Sequence, residues 1–413
     1  MDRFGQILGF CGLSTGAPRA RRACPLVCHA SSSDVVIVGS GIGGLAAGVA
    51  LRKATNKSVT VLERSDGEDI TDGTSISVWP NAWAALEALD RDVSERLRSG
   101  KVRVESGKVV KASGKVITSW NFDQVWKGFE LRACPRQEII SELSTLATEL
   151  GVDIRYNTSV ERVDPSSSTI YVEDGSTITA GIIVGADGAG SRVRSSVLKD
   201  GSPNVAPLVA YRGIVEEKGI STRQALQVWD DSSSARFGSV PITEDKLYWF
   251  VTGPGTAPRG TSFVTSEEPL QLLDKFPEDL KDLVMKAKRI YRNGVVDRLP
   301  SLKWGEETVT LLGDAAHPML PNLGQGAGAA LEDALAFASA LQEGTDDPNS
   351  AKKALRAYER SRFKRASIIQ LRSRGISSLV HWDSPLPAAL LSVAFYPPLV
   401  FNHCKYTPPL KFT

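Results

Sequence analysis

The chain has 413 residues, of which 42% are hydrophobic and 23% are charged, and its formal net charge is +2 at pH 7. This length suits two closely packed domains, and the composition is ordinary for a soluble globular enzyme. The small net charge gives no reason to expect a nucleic-acid partner. Only Cys134 and Cys404 lie beyond residue 30, so the sequence indicates neither a disulfide framework nor a cysteine-based metal site.

Residues 1–32 differ in composition from the rest of the chain. They contain four arginines and one acidic residue, together with many small residues, and they lack the continuous apolar run of a secretory signal. This composition is typical of an organelle transit peptide, and a tail without a targeting role is the alternative. We therefore leave residues 1–32 out of the predicted fold and expect a plastid location, with the mitochondrion and the cytoplasm as alternatives.

An apolar strand and a glycine-rich turn come next. DVVIVG at 34–39 predicts a buried strand, and Gly39, Gly41 and Gly44 form the pattern G-x-G-x-x-G. In this pattern the first glycine permits a tight turn, the second lets a pyrophosphate approach the backbone, and the third lets the helix pack on the strand. A second strand ends at Glu63, where an acid accepts hydrogen bonds from an adenosine ribose. Together these features predict a Rossmann-like dinucleotide site.

A basic side chain and a second acidic turn follow. Residues 131–151 predict a helix with Arg136 in its first turn, where a cation gains nothing from the helix dipole. Arg136 therefore either faces an anion or is a solvated surface residue. Asp187 and Gly188 follow an apolar strand. They form either another acidic wall of the cofactor site or a turn that needs Asp-Gly for its geometry alone.

Residues 201–294 change in character. They contain runs of strand-forming residues separated by polar turns, with several aromatic residues such as Trp249, which predicts an antiparallel sheet. Residues 101–122 also predict short strands, which we expect the first domain to contribute to this sheet. Most of the aromatic residues should lie in the core, while one face of the sheet should cover a pocket at the junction of the two domains.

The stretch 309–333, VTLLGDAAHPMLPNLGQGAGAALED, combines a strand, an acidic loop and the start of a helix. Val309–Leu312 predicts a short buried strand, Asp314 lies at the mouth of the loop, and an apolar helix is expected from Gln325 to Gln342. The first N–H groups of such a helix have no partner within it and carry the positive end of its dipole. They favour an electron-rich ring that gains negative charge. A tight loop that only connects a strand to a core helix is the alternative.

Two segments near the C-terminus are distinctive. Residues 349–374 predict a helix with nine Lys or Arg and one acid; such a run is usually a solvated face, and attraction of a nicotinamide dinucleotide phosphate is the alternative. Residues 385–401 are apolar, but four prolines leave room for only some nine helical residues, too few to span a bilayer. We expect this segment to pack against the first domain, with membrane-surface contact or a dimer seam as alternatives.

Three motifs together resemble those of a known family: GSGIGG at 39–44, GADG at 185–188 and GDAAHPMLPNLGQGAG at 313–328. They are similar to the single-component FAD-dependent monooxygenases of the aromatic-hydroxylase class, and within it to the plant branch of zeaxanthin epoxidase and salicylate-hydroxylase-like enzymes. The resemblance covers residues 34 to about 375.

This resemblance implies a mixed α/β (α+β) fold. A Rossmann-like FAD-binding domain would carry an inserted antiparallel-sheet substrate domain and C-terminal helices. The expected boundaries are 33–200 and 295–375 for the FAD-binding domain, 201–294 for the substrate domain, and 376–413 for a C-terminal extension.

The resemblance also implies roles for individual residues. The glycine motif would hold the FAD pyrophosphate, Glu63 the adenosine ribose, and Asp314 the ribityl chain. The expected cofactor-binding residues are Gly39, Ser40, Gly41, Ile42, Gly43, Gly44, Glu63, Arg64, Arg136, Val160, Asp187, Gly188, Asp314, Pro321, Gly324, Gln325, Gly326 and Ala327. Pro318 and Pro321 would belong to the loop beside the flavin ring. The expected substrate residues are Tyr211, Arg212 and Trp249, and no side chain is assigned as a catalytic acid or base.

In the family that the motifs resemble, NAD(P)H reduces the flavin, and dioxygen then forms a flavin 4a-hydroperoxide that hydroxylates or epoxidises a small aromatic or olefinic substrate. With no second dinucleotide fold in the sequence, NAD(P)H would bind transiently. No metal is expected, His317 is expected to be structural, and the chain should be a monomer or homodimer. The alternatives are an FAD-dependent reductase or oxidase of the geranylgeranyl-reductase type and a non-catalytic dinucleotide-binding protein.

Overall fold

The structure, a computed structural model, describes residues 33–67, 74–230, 232–258, 260–342, 345, 347–380 and 401–412. The strands are β1 (Ser33–Val38), β2 (Val59–Leu62), β3 (Ser75–Val78), β4 (Ser106–Lys111), β5 (Val116–Asn121), β6 (Arg132–Pro135), β7 (Asp153–Arg155), β8 (Val160–Asp164), β9 (Thr169–Val172), β10 (Thr177–Gly185), β11 (Asn204–Glu216), β12 (Gln224–Trp229), β13 (Arg236–Thr243), β14 (Lys246–Pro254), β15 (Thr261–Val264), β16 (Ile290–Asp297) and β17 (Val309–Leu311). The helices are α1 (Ile42–Ala54), α2 (Pro80–Leu89), α3 (Arg91–Arg98), α4 (Phe122–Val125), α5 (Arg136–Glu149), α6 (Arg192–Leu198), α7 (Glu267–Leu272), α8 (Glu278–Lys286), α9 (Gly326–Ala340) and α10 (Pro348–Val380).

The first sheet is parallel at its centre. Strands β7, β2, β1, β10 and β17 pair in parallel, and β9 and β8 extend β10 on an antiparallel side. The apolar run of β1 is buried because α1 covers the sheet and packs against α5 and α9. The carboxyl ends of the parallel strands meet at one edge, which is where open α/β sheets bind their ligands.

The second sheet has eight strands in the order β15-β16-β11-β14-β13-β12-β4-β5. All its pairs are antiparallel except β12 with β4. Strands β4 and β5, which lie in the segment 101–122, join it through β12. One face of the sheet packs on α7 and α8 through a separate apolar core, which we call the outer core and which contains Phe237, Trp249, Leu273 and Val284.

The opposite face of the second sheet is directed toward the first sheet. Ala210 of β11 and Val295 of β16 pack with Leu320, which lies in the loop before α9. Val240 and Tyr248 join a further apolar cluster that includes Cys404 of the C-terminal segment 401–412. We call this the inner face. It brings the loop before α9, the second sheet and the C-terminal segment together.

The two long C-terminal helices differ slightly from their predicted bounds. Helix α9 begins at Gly326, with Gln325 as its N-cap, and ends at Ala340, whereas the sequence predicts an end at Gln342. Helix α10 extends to Val380, beyond the predicted residue 374. Among the described residues, no helix has the length and hydropathy needed to cross a membrane. The predicted contacts of 385–401 fall almost entirely outside the described residues.

Candidate functional site

A cavity of about 590 Å³ lies at the carboxyl edge of the parallel strands, within the volume range of small-molecule and cofactor sites. It is lined by residues at or directly after the carboxyl ends of β1, β2, β10 and β17 and by residues at the starts of α1, α5 and α9. Fourteen of the predicted cofactor-binding residues line it: Gly39, Ser40, Gly41, Ile42, Gly43, Glu63, Arg64, Arg136, Val160, Asp187, Gly188, Asp314, Gly326 and Ala327. Gly44, Pro321, Gly324 and Gln325 are not among the residues that line it.

The three glycines of the first motif have three different surroundings. Gly39 has a φ of +107°, and a Cβ there would lie 2.5 Å from the carbonyl oxygen of Ala186. A Cβ on Gly44 would lie 2.0 Å from the carbonyl oxygen of Gly39, so this glycine lets α1 approach β1. A Cβ on Gly41 would meet no atom within 4 Å. Gly41 therefore leaves open space above the backbone at the start of α1, which suits an approaching pyrophosphate.

Glu63 is held in place at the end of β2. One carboxylate oxygen accepts hydrogen bonds from the backbone N–H and hydroxyl of Ser40, both at 2.9 Å. The other accepts from the backbone N–H and hydroxyl of Ser65, at 2.9 and 3.0 Å. Burial acts to raise the pKa of Glu63, but these hydrogen bonds outweigh it and leave the pKa below its ordinary value. The carboxylate therefore stays ionised as a fixed acceptor at the cavity wall.

Asp314 lies deep in the protein, but its side chain is open to the cavity. Its deep position raises the pKa of Asp314 above the ordinary value, while His317 and Arg136 act against this shift. No donor among the described residues is hydrogen-bonded to its carboxylate. A carboxylate in this situation is stabilised by hydroxyl donors supplied by a ligand, and this fits the ribityl chain that the resemblance assigns to Asp314.

The start of α9 forms the neighbouring wall. Gly324 has a φ of +60°, which turns the chain into the helix, and there is no acidic residue in the first turn. Gly326 and Ala327 line the cavity, so the unpaired N–H groups and the positive end of the helix dipole face it. The alternative of a mere connecting loop leaves this open helix end unexplained.

A buried charge network lies directly behind this helix start. The carboxylates of Glu332 and Asp333 are fully buried. Arg362 of α10 donates to Asp333 at 2.6 Å and to Glu332 at 2.8 Å, and Arg365 donates to Glu332 at 2.5 and 2.7 Å. Asn81 of α2 donates to both Glu332 and Gln325, at 2.8 and 2.9 Å. The network joins α2, α9 and α10 and fixes the N-cap residue of α9.

The burial of Arg362 corrects the prediction that the basic run 349–374 is a solvated face. Arg362 is only 4% exposed, and Arg356 and Arg365 are also engaged with buried carboxylates. The prediction was wrong for these three residues because their partners Glu332 and Glu359 lie inside the protein. Glu359 lies on the same helix as Arg356, three residues further on, whereas Glu332 lies on α9, so only the packing of α9 on α10 reveals it as a counter-ion.

His317 is paired with Asp333 in the same network. Its Nε2 lies 2.5 Å from Asp333 Oδ2, and its ring is 5.3 Å from that of Trp304. Asp333 Oδ2 also accepts the backbone N–H of Gly313 at 3.0 Å. His317 therefore holds the loop that carries Asp314, which agrees with its expected structural role.

Asp187 has a local structural task at the cavity edge. Its carboxylate accepts the Ser191 hydroxyl at 2.5 Å and the backbone N–H of Arg192 at 2.7 Å. Burial raises the pKa of Asp187 above its ordinary value. The hydrogen bonds act to lower it, but their effect is smaller than that of burial. Both readings of Asp187 are therefore compatible with the geometry, because it orders the turn before α6 and also lines the cavity.

Two of the three expected substrate residues lie on the wrong face of the second sheet. Tyr211 and Trp249 belong to the outer core, and the Tyr211 hydroxyl donates to Glu268 of α7 at 3.2 Å. Arg212 follows Tyr211 in β11 and therefore points to the inner face, where it donates to Asn293 Oδ1 at 3.0 Å. Tyr211 and Trp249 face away from the cofactor cavity and cannot contact a substrate between the two sheets.

Several residues that line the cavity were not predicted from the sequence. Tyr156, Thr158 and Ser159 line it, in the segment that follows β7. These residues could have been predicted, because β7 is parallel to β2 and the carboxyl ends of parallel strands meet at the same edge of the sheet. Gln137, Ile140 and Arg192 line it from α5 and α6.

Residues 32–372 match the family described as FAD binding domain. Aurachin C monooxygenase/isomerase of Stigmatella aurantiaca is 30% identical over 85% of this chain and 90% of its own length. The 3-hydroxybenzoate 6-hydroxylase 1 of Aquipseudomonas alcaligenes is 29% identical over 84% of this chain and 90% of its own length. Chloroplastic zeaxanthin epoxidase of Oryza sativa subsp. japonica is 31% identical over 81% of this chain, which spans only 53% of that relative.

Solved structures agree with this assignment at the level of the fold. Klebsiella pneumoniae HpxO complexed with FAD and uric acid has a TM-score of 0.74 at 22% identity, covering 90% of this chain and 95% of that one. The tetrameric form of 2-methyl-3-hydroxypyridine-5-carboxylic acid oxygenase has a TM-score of 0.71 at 26% identity, covering 91% of this chain and 97% of that one.

The class that the fold and the cavity define is that of the FAD-dependent monooxygenases. The chain belongs to the FAD binding domain family, and its cofactor is FAD. This confirms the family, the fold class and the cofactor predicted from the three motifs.

Proposed function

We propose that this protein uses NAD(P)H and dioxygen to hydroxylate or epoxidise a small substrate held between the cofactor cavity and the inner face of the second sheet. In this reaction one oxygen atom enters the substrate, the other leaves as water, and NAD(P)H supplies two electrons. The observation that carries the proposal is the pairing of an open carboxylate, Asp314, with the exposed N-terminus of α9 in one cavity.

The residues of the chain have distinct tasks in this proposal. Gly41 and the start of α1 receive the pyrophosphate, Glu63 accepts from the ribose, and Asp314 accepts from the ribityl hydroxyls. When bound, FAD supplies the exchange of electrons with NAD(P)H and the activation of dioxygen. The N-terminus of α9 stabilises negative charge at the cavity wall, and the network behind it keeps that helix end in position.

The domain organisation follows the same division. We propose that residues 33–200 with 295–375 hold the cofactor, and that 201–294 with the strands of 101–122 cover the substrate. Support comes from the inner face, where Ala210 and Val295 form one apolar cluster with Leu320 of the loop before α9. Arg212 remains a proposed substrate residue because it projects from this face, and Pro318 and Pro321 belong to the loop opposite it.

The location and assembly state belong to the proposal as well. The composition of 1–32 and the chloroplastic zeaxanthin epoxidases among the relatives support a plastid, although other relatives are bacterial. Fusing residues 1–32 to a fluorescent protein tests this, since a plastid signal is expected and a cytoplasmic one would refute it. We propose a monomer or a homodimer, and light scattering of the purified protein distinguishes the two by mass.

The reaction is tested with the protein purified without residues 1–32. We expect flavin absorbance bands that NADPH or NADH bleaches, and oxygen uptake that one of a set of phenols, olefins and heterocycles stimulates. Bleaching with no reaction toward oxygen would instead favour the reductase alternative. Protein that takes up no FAD on reconstitution would refute the cofactor site.

A variant at the cavity checks the assignment of Asp314. Asp314→Ala removes the acceptor for the ribityl hydroxyls, so we expect the flavin content per protein to fall at least about tenfold, as befits a lost charge-assisted hydrogen bond. Asp92→Ala is the control, because Asp92 is exposed in the first turn of α3, outside the cavity. Equal flavin content in the two variants would contradict the placement.

A further inference from the structure

Arg236, the first residue of β13, is a buried cation that has no role in the proposed function. Its side chain is 7% exposed, and its Nε and Nη2 have no hydrogen-bond partner in the part of the chain that the structure describes. Burial alone lowers the pKa of Arg236 to about 9, with no carboxylate acting against it. At neutral pH the guanidinium is therefore still charged, and none of the described residues serves as its counter-ion.

The strand register places Arg236 on the inner face. Its neighbour Phe237 belongs to the outer core, and successive side chains of a strand point to opposite faces. In the row across the sheet, Ala210 pairs with Thr252, and Thr252 pairs with Arg236. Ala210 belongs to the apolar cluster that also contains Leu320 of the loop before α9. Arg236 is thus two strand spacings, roughly 10 Å, from Ala210, which shares an apolar cluster with the loop beside the cofactor cavity.

The surroundings of Arg236 suit a flat anion. The guanidinium carbon lies 4.9 Å from the ring centre of Trp229, the neighbouring residue of β12 in the same row. Such stacking orients the guanidinium plane but does not neutralise its charge. Arg212, on the same face, hydrogen-bonds the neutral side chains of Asn293 and Tyr248. The inner face therefore presents two cations whose hydrogen-bond partners in the described chain are neutral or missing.

A buried charge without a partner is strongly unfavourable in a folded protein, and such groups are normally paired. We propose that Arg236 binds the carboxylate, or a comparable anionic group, of the substrate at the end remote from the flavin. The substrate is then a small organic anion with an electron-rich ring, and not a neutral carotenoid-like olefin. This inference rests on the proposed function and names the substrate class of the same site.

The test measures binding to the flavin-containing protein before any turnover. Changes in flavin absorbance are followed during titration with benzoate, 3-hydroxybenzoate and 2-naphthoate, and with the methyl ester of each. We expect at least one acid to bind with a Kd at least about tenfold below that of its ester, as expected for a charge-assisted hydrogen bond. Failure of all three acids to bind, or equal Kd values for acid and ester, would overturn the proposal.

Variants then assign the effect to Arg236. Arg236→Gln should weaken acid binding at least about tenfold and leave ester binding within about twofold, while Arg236→Lys should restore part of the preference. The control is Arg292→Gln, because Arg292 lies in the same sheet but pairs with Glu268 beside the outer core. An acid preference that survives in Arg236→Gln would overturn the proposal.

Two further readouts separate the possible failures. Without ligand, Arg236→Gln should unfold at the same or a higher temperature than the unaltered protein, because an unpaired buried charge is removed; a lower temperature with unchanged acid binding would make Arg236 purely structural. Flavin reduction by NADPH is recorded in parallel. A reducible flavin with no acid preference refutes only this inference, whereas protein without flavin refutes the proposed function.

Discussion

Two carboxylates in the same stretch of sequence, Asp314 and Asp333, have opposite surroundings. Asp314 is open to the cavity and receives no hydrogen bond from the described residues, whereas Asp333 is fully buried between His317 and Arg362. Burial acts to raise the pKa of Asp333, but His317 and Arg362 outweigh it and bring the pKa to about 2. One carboxylate is therefore available to a ligand and the other belongs to the scaffold.

The Asp333 ion pairs predict a pH-dependent stability. The pKa of Asp333 is lowered on folding from an ordinary 3.8 to about 2, so its contribution is complete above pH 3.8 and is lost as the pH falls through 2. Asp333→Asn leaves Arg362 without its closest partner, and we expect the free energy of unfolding at pH 7 to fall by roughly 3–5 kcal/mol. Urea unfolding at pH 7 measures this.

The difference in stability between the unaltered protein and Asp333→Asn should shrink as the pH falls from 3.8 to 2. Thermal unfolding of both proteins across that pH range measures it. Asp174→Asn is the matched control, because Asp174 is exposed and only caps a turn through Ser176. A fully stable Asp333→Asn protein at pH 7 would show that the buried pair contributes nothing.

At the scale of elements, α1 depends on small residues at defined positions. Gly43 leaves room for Ala330 of α9, and Gly44 leaves room for the carbonyl of Gly39. Helix α9 is itself rich in alanine, and it packs against α1. Close contact between α1 and α9 places their N-termini on one cavity, so the two dipoles act on the same ligand.

Alanine substitutions in α1 should have opposite effects at two positions. Gly44→Ala places a Cβ 2.0 Å from the carbonyl oxygen of Gly39, so we expect α1 to be displaced and the protein to lose flavin or fail to fold. In Gly48→Ala the Cβ meets Val152 at an ordinary 3.6 Å, and alanine favours the helix by about 0.5–1 kcal/mol. Flavin content and unfolding temperature distinguish the two. A Gly44→Ala protein with normal flavin content would contradict this account.

At the scale of the whole molecule, the C-terminal segment 401–412 is tied to the cofactor region. Arg365 of α10 donates to the carbonyl oxygen of His403 at 2.7 Å, and the side-chain amide of Gln325 lies 3.7 Å from the sulfur of Cys404. The backbone N–H of Phe412 donates to Ala88 of α2 at 2.8 Å. The segment 401–412, distant in sequence, thus supports α9, whose N-terminus lies at the cavity.

Removing one member of this connection should loosen the segment without unfolding the protein. In Arg365→Met, Glu332 keeps Arg362 and Asn81, so we expect a loss of roughly 1–3 kcal/mol in stability and faster hydrogen exchange in residues 401–412. Arg360→Met is the control, because Arg360 is exposed on the same helix. Unchanged exchange in Arg365→Met would show that the segment is held by its apolar contacts alone.

The residues of the nucleotide site could be predicted because their chemistry is local. Tight turns and close approaches require glycine at Gly39 and Gly44, and the spacing to Glu63 reflects one strand–helix–strand unit. Asp314 and the start of α9 lie within a dozen residues of each other. Each of these features depends on backbone geometry over a short span, and such geometry restricts the residue type directly.

The sequence by itself thus determined the family, the cofactor and fourteen of the residues that line the cavity, while the tertiary structure decided the rest. Alternation along β11 requires Tyr211 and Arg212 to face opposite sides, but only the packing of α7 and α8 shows which side is the outer core. The burial of Arg362, and the lack of a partner for Nε and Nη2 of Arg236 among the described residues, depend on which distant parts of the chain pack around them. Burial and pairing are properties of the space around a side chain, and the folded chain alone defines that space.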